Sequence, residues 1–325
     1  GTHQHTRPAM PSVKMTRRKF APTAILSVFV LPPILALSSE PSVIRSYSLF
    51  ETSEGQPRRC IGRCVEVVPP PRDPLVGEDE VEMWYSTNRR SFLFPPEPDS
   101  YDSEEAPDLP SMKRIDLRET SFGCGRLGAT VWPSGIALAS MLSGPYRSSV
   151  EGAAVLELGA GCGLPSLTCR DVSGAASILA TDYWEEDDGT FDADRLVPKG
   201  QFGTNLIYNL GDEKLVDRLD WHDKLGVIVS SDRHRPSLVI GSDLVYEQSD
   251  LTPLMSTLDT LLKTSAKEVL LLCPLPPNAV RKALPDFRSR MEKGEIDGCT
   301  VVMDEVELLE DDDFCHHFLR VRLLK

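Results

Sequence analysis

The sequence predicts a doubly wound α/β sheet of seven strands, mostly parallel, with helices on both faces and an antiparallel hairpin at its C-terminal end. Three observations carry this expectation. From about Arg114 onward, short apolar runs alternate with longer amphipathic ones, the pattern of strands joined by crossover helices. One apolar run, AAVLELGAGCGLPSL at residues 153–167, leads directly into three alternating glycines, Gly159, Gly161 and Gly163. The last two apolar runs are joined by the short acidic turn LEDDD, which suits a hairpin and not a crossover.

Taken in chain order, strands are expected at Ala154–Leu158, Ser177–Thr181, Arg218–Trp221, Ser237–Gly241 and Glu268–Cys273, each too short for a helix. Helices are expected at Ser134–Leu142, Asn205–Leu210, Leu251–Leu262 and Ala279–Met291; in the first, Ile136, Leu138, Ala139 and Leu142 supply the apolar side chains. Thr300–Leu308 and Phe314–Leu323 form the closing hairpin, so five parallel strands plus two give seven.

Ahead of this body the composition changes twice. Residues 1–46 contain a basic run (Arg17, Arg18, Lys19), an apolar stretch from Ala21 to Leu37 and a small-residue patch, the layout of a signal peptide or anchor; a disordered extension is the alternative. Pro32 and Pro33 argue against an ordinary spanning helix. Residues 47–111 include VVPPPRDP and FPPEPDSYDSEEAPDLP and read as a largely flexible, Pro- and acid-rich linker with a local strand near Val81–Tyr85. The predicted domain is therefore 112–325.

The 325 residues, 41% of them hydrophobic, are enough for a sizeable core. Formal net charge is −14, but residues 1–46 hold six of the 35 basic and one of the 49 acidic side chains, leaving 29 against 48 and a net −19 on the rest. Such a body repels nucleic-acid phosphates and suits a protein partner with a basic surface. Eight scattered cysteines, among them Cys162 in the glycine loop and Cys273 in an apolar run, indicate a reduced compartment and not a disulfide framework. Cys60 and Cys64 have no second Cys/His pair at zinc spacing nearby, so no metal site is expected.

A strand ending in closely spaced glycines offers bare backbone N–H groups to a ligand at the carboxyl edge of a sheet. The dinucleotide version, G-x-G-x-x-G, would need glycine where Leu164 stands, which argues against a nicotinamide oxidoreductase. The spacing present is E-x-G-x-G-x-G, from Glu157 to Gly163, and ILATDY places Asp182 at the end of the next strand.

This pairing resembles motif I and its following acid in the seven-β-strand, Rossmann-like S-adenosylmethionine-dependent methyltransferases. Four further stretches narrow the resemblance: RETSFGCGRLGATVWPSGIALASML at 118–142, GTNLIYNL with Asn205 and Asn209, RLDW with Asp220 and Trp221, and SLVIGSDLVYE with a D-x-x-Y formed by Asp243 and Tyr246. Together they resemble the protein-lysine methyltransferases called methyltransferase family 16, over roughly residues 112–323. The resemblance implies S-adenosylmethionine as the cofactor and methyl transfer to a lysine of a protein substrate, with no metal required. It also implies that Trp132 packs beside the donor, that Glu157, Gly159, Gly161 and Gly163 line its methionine end, and that Asp182 takes the ribose. Asp220 and Trp221 would flank the adenine, while Asp243 and Tyr246 would be the catalytic pair at the acceptor channel.

Two other readings keep the same fold: a methyltransferase for a small molecule, and a non-catalytic donor-binding or scaffold protein. Because the donor is intracellular, the implied location is cytoplasmic or organellar, with membrane contact only through the N-terminal apolar segment. The stretch 183–204 is long and acidic for a strand-to-helix link; it suits a solvated insertion, a lid or a docking surface for a basic partner.

Overall fold

The computed structural model describes residues 43–52, 58–68, 87–96, 111–120, 128, 130–184, 191–192, 197–198, 201–277, 281–311 and 313–325. Most of the signal-like segment and the strand expected near Val81–Tyr85 lie outside these residues.

The parallel body follows the alternation in the sequence, except that the third strand, expected at Arg218–Trp221, lies at Val216–Arg218 and a helix at Lys224–His234 was not expected. Its strands are β5 (Ala154–Leu158), β6 (Ser177–Asp182), β9 (Val216–Arg218), β10 (Leu238–Ser242) and β11 (Glu268–Pro274), followed by the antiparallel β12 (Thr300–Glu310) and β13 (Phe314–Leu324). Between β6 and β9 a two-residue ladder pairs β7 (Phe191–Asp192) with β8 (Val197–Pro198). The helices that cross over these strands are α1 (Pro133–Ser143), the single turn α2 (Arg147–Val150), α3 (Leu164–Asp171), α4 (Gln201–Leu210), α5 (Lys224–His234), α6 (Gln248–Thr264) and α7 (Leu284–Glu292).

Among the described residues, however, the sheet has eleven strands where seven were expected. Its order is β4-β3-β2-β1-β12-β13-β11-β10-β5-β6-β9, with β1 (Val43–Glu51), β2 (Arg59–Val68), β3 (Thr87–Phe94) and β4 (Lys113–Thr120) adding an antiparallel meander. Three of these strands fall in the segment read as a flexible linker. The physical reason is an edge: in a seven-stranded sheet β12 would present unpaired N–H and C=O groups, and β1 covers them from Tyr47↔Glu310 to Glu51↔Val306. The sheet is therefore mixed, with the parallel part confined to β11-β10-β5-β6-β9.

Alternate side chains of each central strand feed two cores. Val155, Ile178, Ile240 and Leu270 join α1, α3 and the inner faces of β1–β4, whereas Leu156, Leu179, Val239 and Leu271 join α6 and α7. A strand buried on both faces must read as a continuous apolar run, which is why β5, β10 and β11 were recognisable. The α6 core side chains Leu251, Leu254, Met255, Leu258, Leu261 and Leu262 recur at helical spacing, and all are buried. Among the described residues, no helix is long and apolar enough to cross a membrane.

The meander is fastened by a buried ionic knot. Arg90 of β3 donates Nε to Glu66 Oε1 at 2.6 Å, Nη2 to Glu66 Oε2 at 3.0 Å and Nη1 to Glu119 Oε1 at 2.9 Å. Tyr47 of β1 donates its hydroxyl to Glu66 at 2.8 Å. Burial opposes the Arg90 charge, but the two carboxylates more than offset it and raise its pKa further. Breaking such a pair strands a charge in the core. We expect Arg90→Gln to lose about 3–5 kcal/mol in denaturant unfolding. A chain begun at residue 112 should melt lower and self-associate in light scattering, because β12 loses its edge partner and Glu119 its cation.

Candidate functional site

The parallel strands run outward in opposite directions from β5 and β10, β5 leading to β6 and β9 while β10 leads to β11. Such a switch point leaves a crevice at the carboxyl ends of the strands. Here it holds a cavity of about 480 Å³.

The glycine loop forms its floor. Gly159, Gly161 and Gly163 have φ of +60°, +54° and +81°, the left-handed region where a side chain is strained. At Gly159 space is also exhausted: a Cβ there would lie 2.5 Å from Leu244 Cδ2 and 3.8 Å from the Trp221 ring. The loop is pinned from three sides. Ala160 N–H donates to Thr181 O at 2.9 Å, Gly161 N–H to Asp182 Oδ2 at 2.6 Å, and Asn209 Nδ2 reaches the Cys162 carbonyl at 2.9 Å. Asn209 also exchanges hydrogen bonds with the Arg118 backbone, tying α4, β4 and the loop together.

Nine of the ten residues singled out in the sequence line this cavity. Gly159, Gly161, Gly163 and Asp182 lie along the loop; Asp220 and Trp221 follow β9; Trp132, Asp243 and Tyr246 complete the wall. Glu157 is set apart from them. It lies beneath the loop, 1% exposed, and its Oε2 accepts from both the backbone N–H and the hydroxyl of Ser166 in the first turn of α3. It therefore satisfies an orphan helix-terminal donor from outside the helix and does not line the pocket.

Burial pushes the Glu157 carboxyl up to about 8, with the two Ser166 hydrogen bonds opposing. Burial also raises Asp182, countered by the N–H groups of Gly161 and Tyr183. Asp243 is raised by burial as well, and here the opposing group is the Arg281 guanidinium. The Tyr246 phenol is raised by burial and by Asp250, Asp182, Asp243 and Glu247, so it stays protonated and can donate a hydrogen bond.

Residues missed in the sequence are as informative. Gly128 approaches the loop so closely that a Cβ on it would lie 3.4 Å from Gly161 Cα, and its carbonyl receives the Cys162 thiol at 3.6 Å. The glycine-rich stretch before Val-Trp was its only signal. Arg281, 38 residues after Asp243, clasps that carboxylate with Nε–Oδ1 at 2.9 Å and Nη2–Oδ2 at 2.6 Å. No local pattern could have flagged it. His222, whose ring nitrogen is 3.2 Å from Asp250, shares the rim.

Among the described lining residues, Asp182, Asp220, Asp243 and Asp250 face a single guanidinium. A cavity with that balance fits a cationic sulfonium donor, and the bare loop fits a ligand lying against backbone. Away from it, Glu307, Cys315 and His317 gather on the hairpin with ligand atoms within 4.8 Å of one another, but Arg58 already sits 2.9 Å from the Glu307 carboxylate.

A mixed sheet with this switch-point cavity, glycine loop and following acid belongs to a class of enzymes: the S-adenosylmethionine-dependent methyltransferases. Residues 112–283 match the lysine methyltransferase family, and the chain belongs to it. It is similar to the protein N-terminal and lysine N-methyltransferase EFM7 of Candida glabrata, 29% identical over 201 residues that cover 60% of this chain and 74% of that protein. The EFM7 of Candida albicans is 27% identical over 229 residues, covering 66% and 84%. That of Cryptococcus neoformans serotype D is 34% identical over 123 residues, covering 35% and 36%.

The Glu157 site yields a pH dependence with a definite sign. A carboxyl whose folded pKa lies above its unfolded value adds stability below about 4.5, and that stability is lost as pH rises through about 8. Glu157→Gln removes the titration. Its melting temperature relative to the parent chain should rise by a few degrees between pH 5 and pH 9 in calorimetric scans.

Proposed function

We propose that the chain binds S-adenosylmethionine across the glycine loop and transfers its methyl group to an amine of a protein substrate, a lysine ε-amine first of all. The observation that carries this is one juxtaposition: Gly161 N–H bonds Asp182 at one end of the cavity, while Asp243 and Tyr246 of the D-x-x-Y stand in the same cavity. The donor supplies an electrophilic methyl carbon on a sulfonium. Everything else is asked of the protein: binding, alignment and exclusion of water.

In this reading Gly159, Gly161 and Gly163 accommodate the methionine part, and Asp182 keeps lone pairs for the ribose hydroxyls beside the two backbone bonds it already accepts. Asp220, fixed by the His222 N–H at 2.9 Å, and the Trp221 ring serve the adenine. Trp132 closes the side nearest α1. Glu157 supports the loop from below and touches no ligand. At the other end Tyr246 donates, and Asp243 accepts from the amine N–H to aim its lone pair.

The EFM7 relatives are named for N-terminal as well as lysine methylation, and a cavity open to solvent suits either primary amine. The net −19 on residues 47–325 favours an acceptor with a basic surface. We place the reaction in a compartment that holds the donor, cytoplasmic or organellar.

Calorimetric titration with S-adenosylmethionine, with NAD as the control ligand, tests the donor; tritiated-methyl transfer into a desalted protein extract tests the acceptor. Saturable binding of the first ligand alone is expected, and binding of neither by a folded chain overturns the reading. Asp182→Ala should weaken donor binding about tenfold or more, the loss of a charged hydrogen-bond acceptor. Asp243→Ala should bind donor within about twofold of the parent yet label extract proteins at least about tenfold more slowly; full labelling would reduce the D-x-x-Y to a structural role.

A further inference from the structure

The clasp between Arg281 and Asp243 is not explained by donor binding, nor by the need of a lysine methyltransferase for an acidic residue at its acceptor channel. An isolated carboxylate there would attract an ammonium, but it would also hold it as ammonium, which has no lone pair to give. Methyl transfer requires the neutral amine.

The geometry of the pair is built in from both sides. Asp243 adopts φ +56°, a left-handed conformation uncommon outside glycine, and its N–H is fixed to Leu272 O at 2.9 Å. The carboxylate direction is thereby set by the end of β10. Arg281, just before α7, meets it with two nitrogens in a fork that lysine could not reproduce. Both side chains are largely buried, 24% and 11% exposed, so solvent screens the pair only weakly. Arg281 is also the sole lysine or arginine among the described residues lining the cavity.

We propose that Arg281 is a positioning residue of the transfer reaction: it cancels the charge of Asp243 while leaving carboxylate lone pairs free, so that the entering amine is aligned by a hydrogen bond and is not held as its ammonium salt. This rests on the amine-methylation reading above. The acceptor ammonium gives its proton to solvent before transfer. The nitrogen lone pair then forms the N–C bond as the donor C–S bond breaks, the bonding pair stays on sulfur, and the positive charge passes from sulfur to nitrogen. Atoms and charge balance with no further reactant.

Other groups face the pair. Tyr246 and Glu247 follow β10, Asp250 lies on α6 with His222 against it, Cys273 is on β11, and Asp182 acts on Tyr246 from the end of β6. His222→Gln in each background separates the contribution of this imidazole, 3.2 Å from Asp250, from that of the acceptor.

The test is the pH profile of tritiated-methyl transfer into a desalted protein extract between pH 6.5 and 10, each variant of the full chain normalised to its own maximum. In Arg281→Gln the uncompensated carboxylate stabilises the ammonium, and the acidic limb should move up by about one pH unit, a tenfold deficit at fixed pH that recovers in alkali. In Asp243→Asn the uncompensated guanidinium should move the limb down by a similar amount, whatever the drop in maximal rate. The double variant should return close to the parent. The opposite signs keep the proposal open to refutation if either single variant fails to fold. Coincident limbs with lowered maxima would make Arg281 merely structural and overturn it. A fall in S-adenosylmethionine affinity of Arg281→Gln that accounts for its lost transfer would assign the guanidinium to the donor carboxylate and overturn it too. If the parent chain binds donor but labels no protein at any pH, the amine-methylation reading itself fails.

Discussion

A guanidinium in a protein core is tolerable only when its charge and its donors are met, and Arg90 meets this condition by joining parts of the chain that are far apart in sequence. Glu66 takes two of its donors and Glu119 a third, while the Val131 carbonyl accepts at 3.2 Å. The same Glu119 oxygen accepts the Val131 N–H at 2.7 Å and the Thr130 hydroxyl at 3.0 Å. The residues just before Trp132 are thus clamped to β3 and β4. Because α1 begins at Pro133, the knot fixes where the helix starts and where Trp132 meets the cavity. Remove any member and the remaining charge is left buried, at a cost larger than the pair itself contributes. The N-terminal meander is therefore part of the apparatus that shapes the site.

The glycine loop is held by a similar division of labour. Three left-handed residues within a stretch of five are unfavourable for a free chain, and glycine lowers the steric cost without removing the entropic one. The loop stays put because its surroundings over-determine it: Asp182 from β6, Asn209 from α4, Gly128 from the segment before α1 and Leu244 from beyond β10 each fix one part of it. Those four come from four separate stretches of the chain. Loop geometry is consequently a property of the assembled sheet, and a cradle for a donor exists only once β5, β6 and β10 are paired.

The same distinction explains what could be read in advance. Strands buried on both faces announce themselves, so β5, β6, β10 and β11 were legible to within a residue or so, as was the hairpin of β12 and β13. The meander was not. Its inward positions carry Glu66, Arg90 and Glu119 beside Leu49, Phe92 and Leu117, and an ionic core imitates the composition of a loop. Proline- and acid-rich stretches between its strands strengthened that impression. In the site, residues whose role follows from one local pattern, the glycines, Asp182 and the D-x-x-Y, were placed in the cavity. Glu157 shared the pattern yet points below the loop, since a strand residue two before the first glycine faces α3 and not the crevice. Arg281 had no local pattern at all, because its partner is set by how the segment after β11 returns to β10.

Three carboxylates at this one site show how a fold can assign different chemistry to the same functional group. Glu157 has only Ser166 for company, and burial leaves it protonated over much of the physiological range. Asp182 is held by two backbone N–H groups, dipoles that stabilise an anion without cancelling its charge; it stays a strong acceptor for hydroxyls. Asp243 is given a full counter-charge by Arg281, so it retains directionality and loses most of its pull on cations. In the proposed assignment, an acid that holds a ribose and an acid that aligns an amine have opposite electrostatic requirements. A cavity with four aspartates and one arginine meets both only if the arginine is paired with the second of these acids, and Arg281 is paired with Asp243.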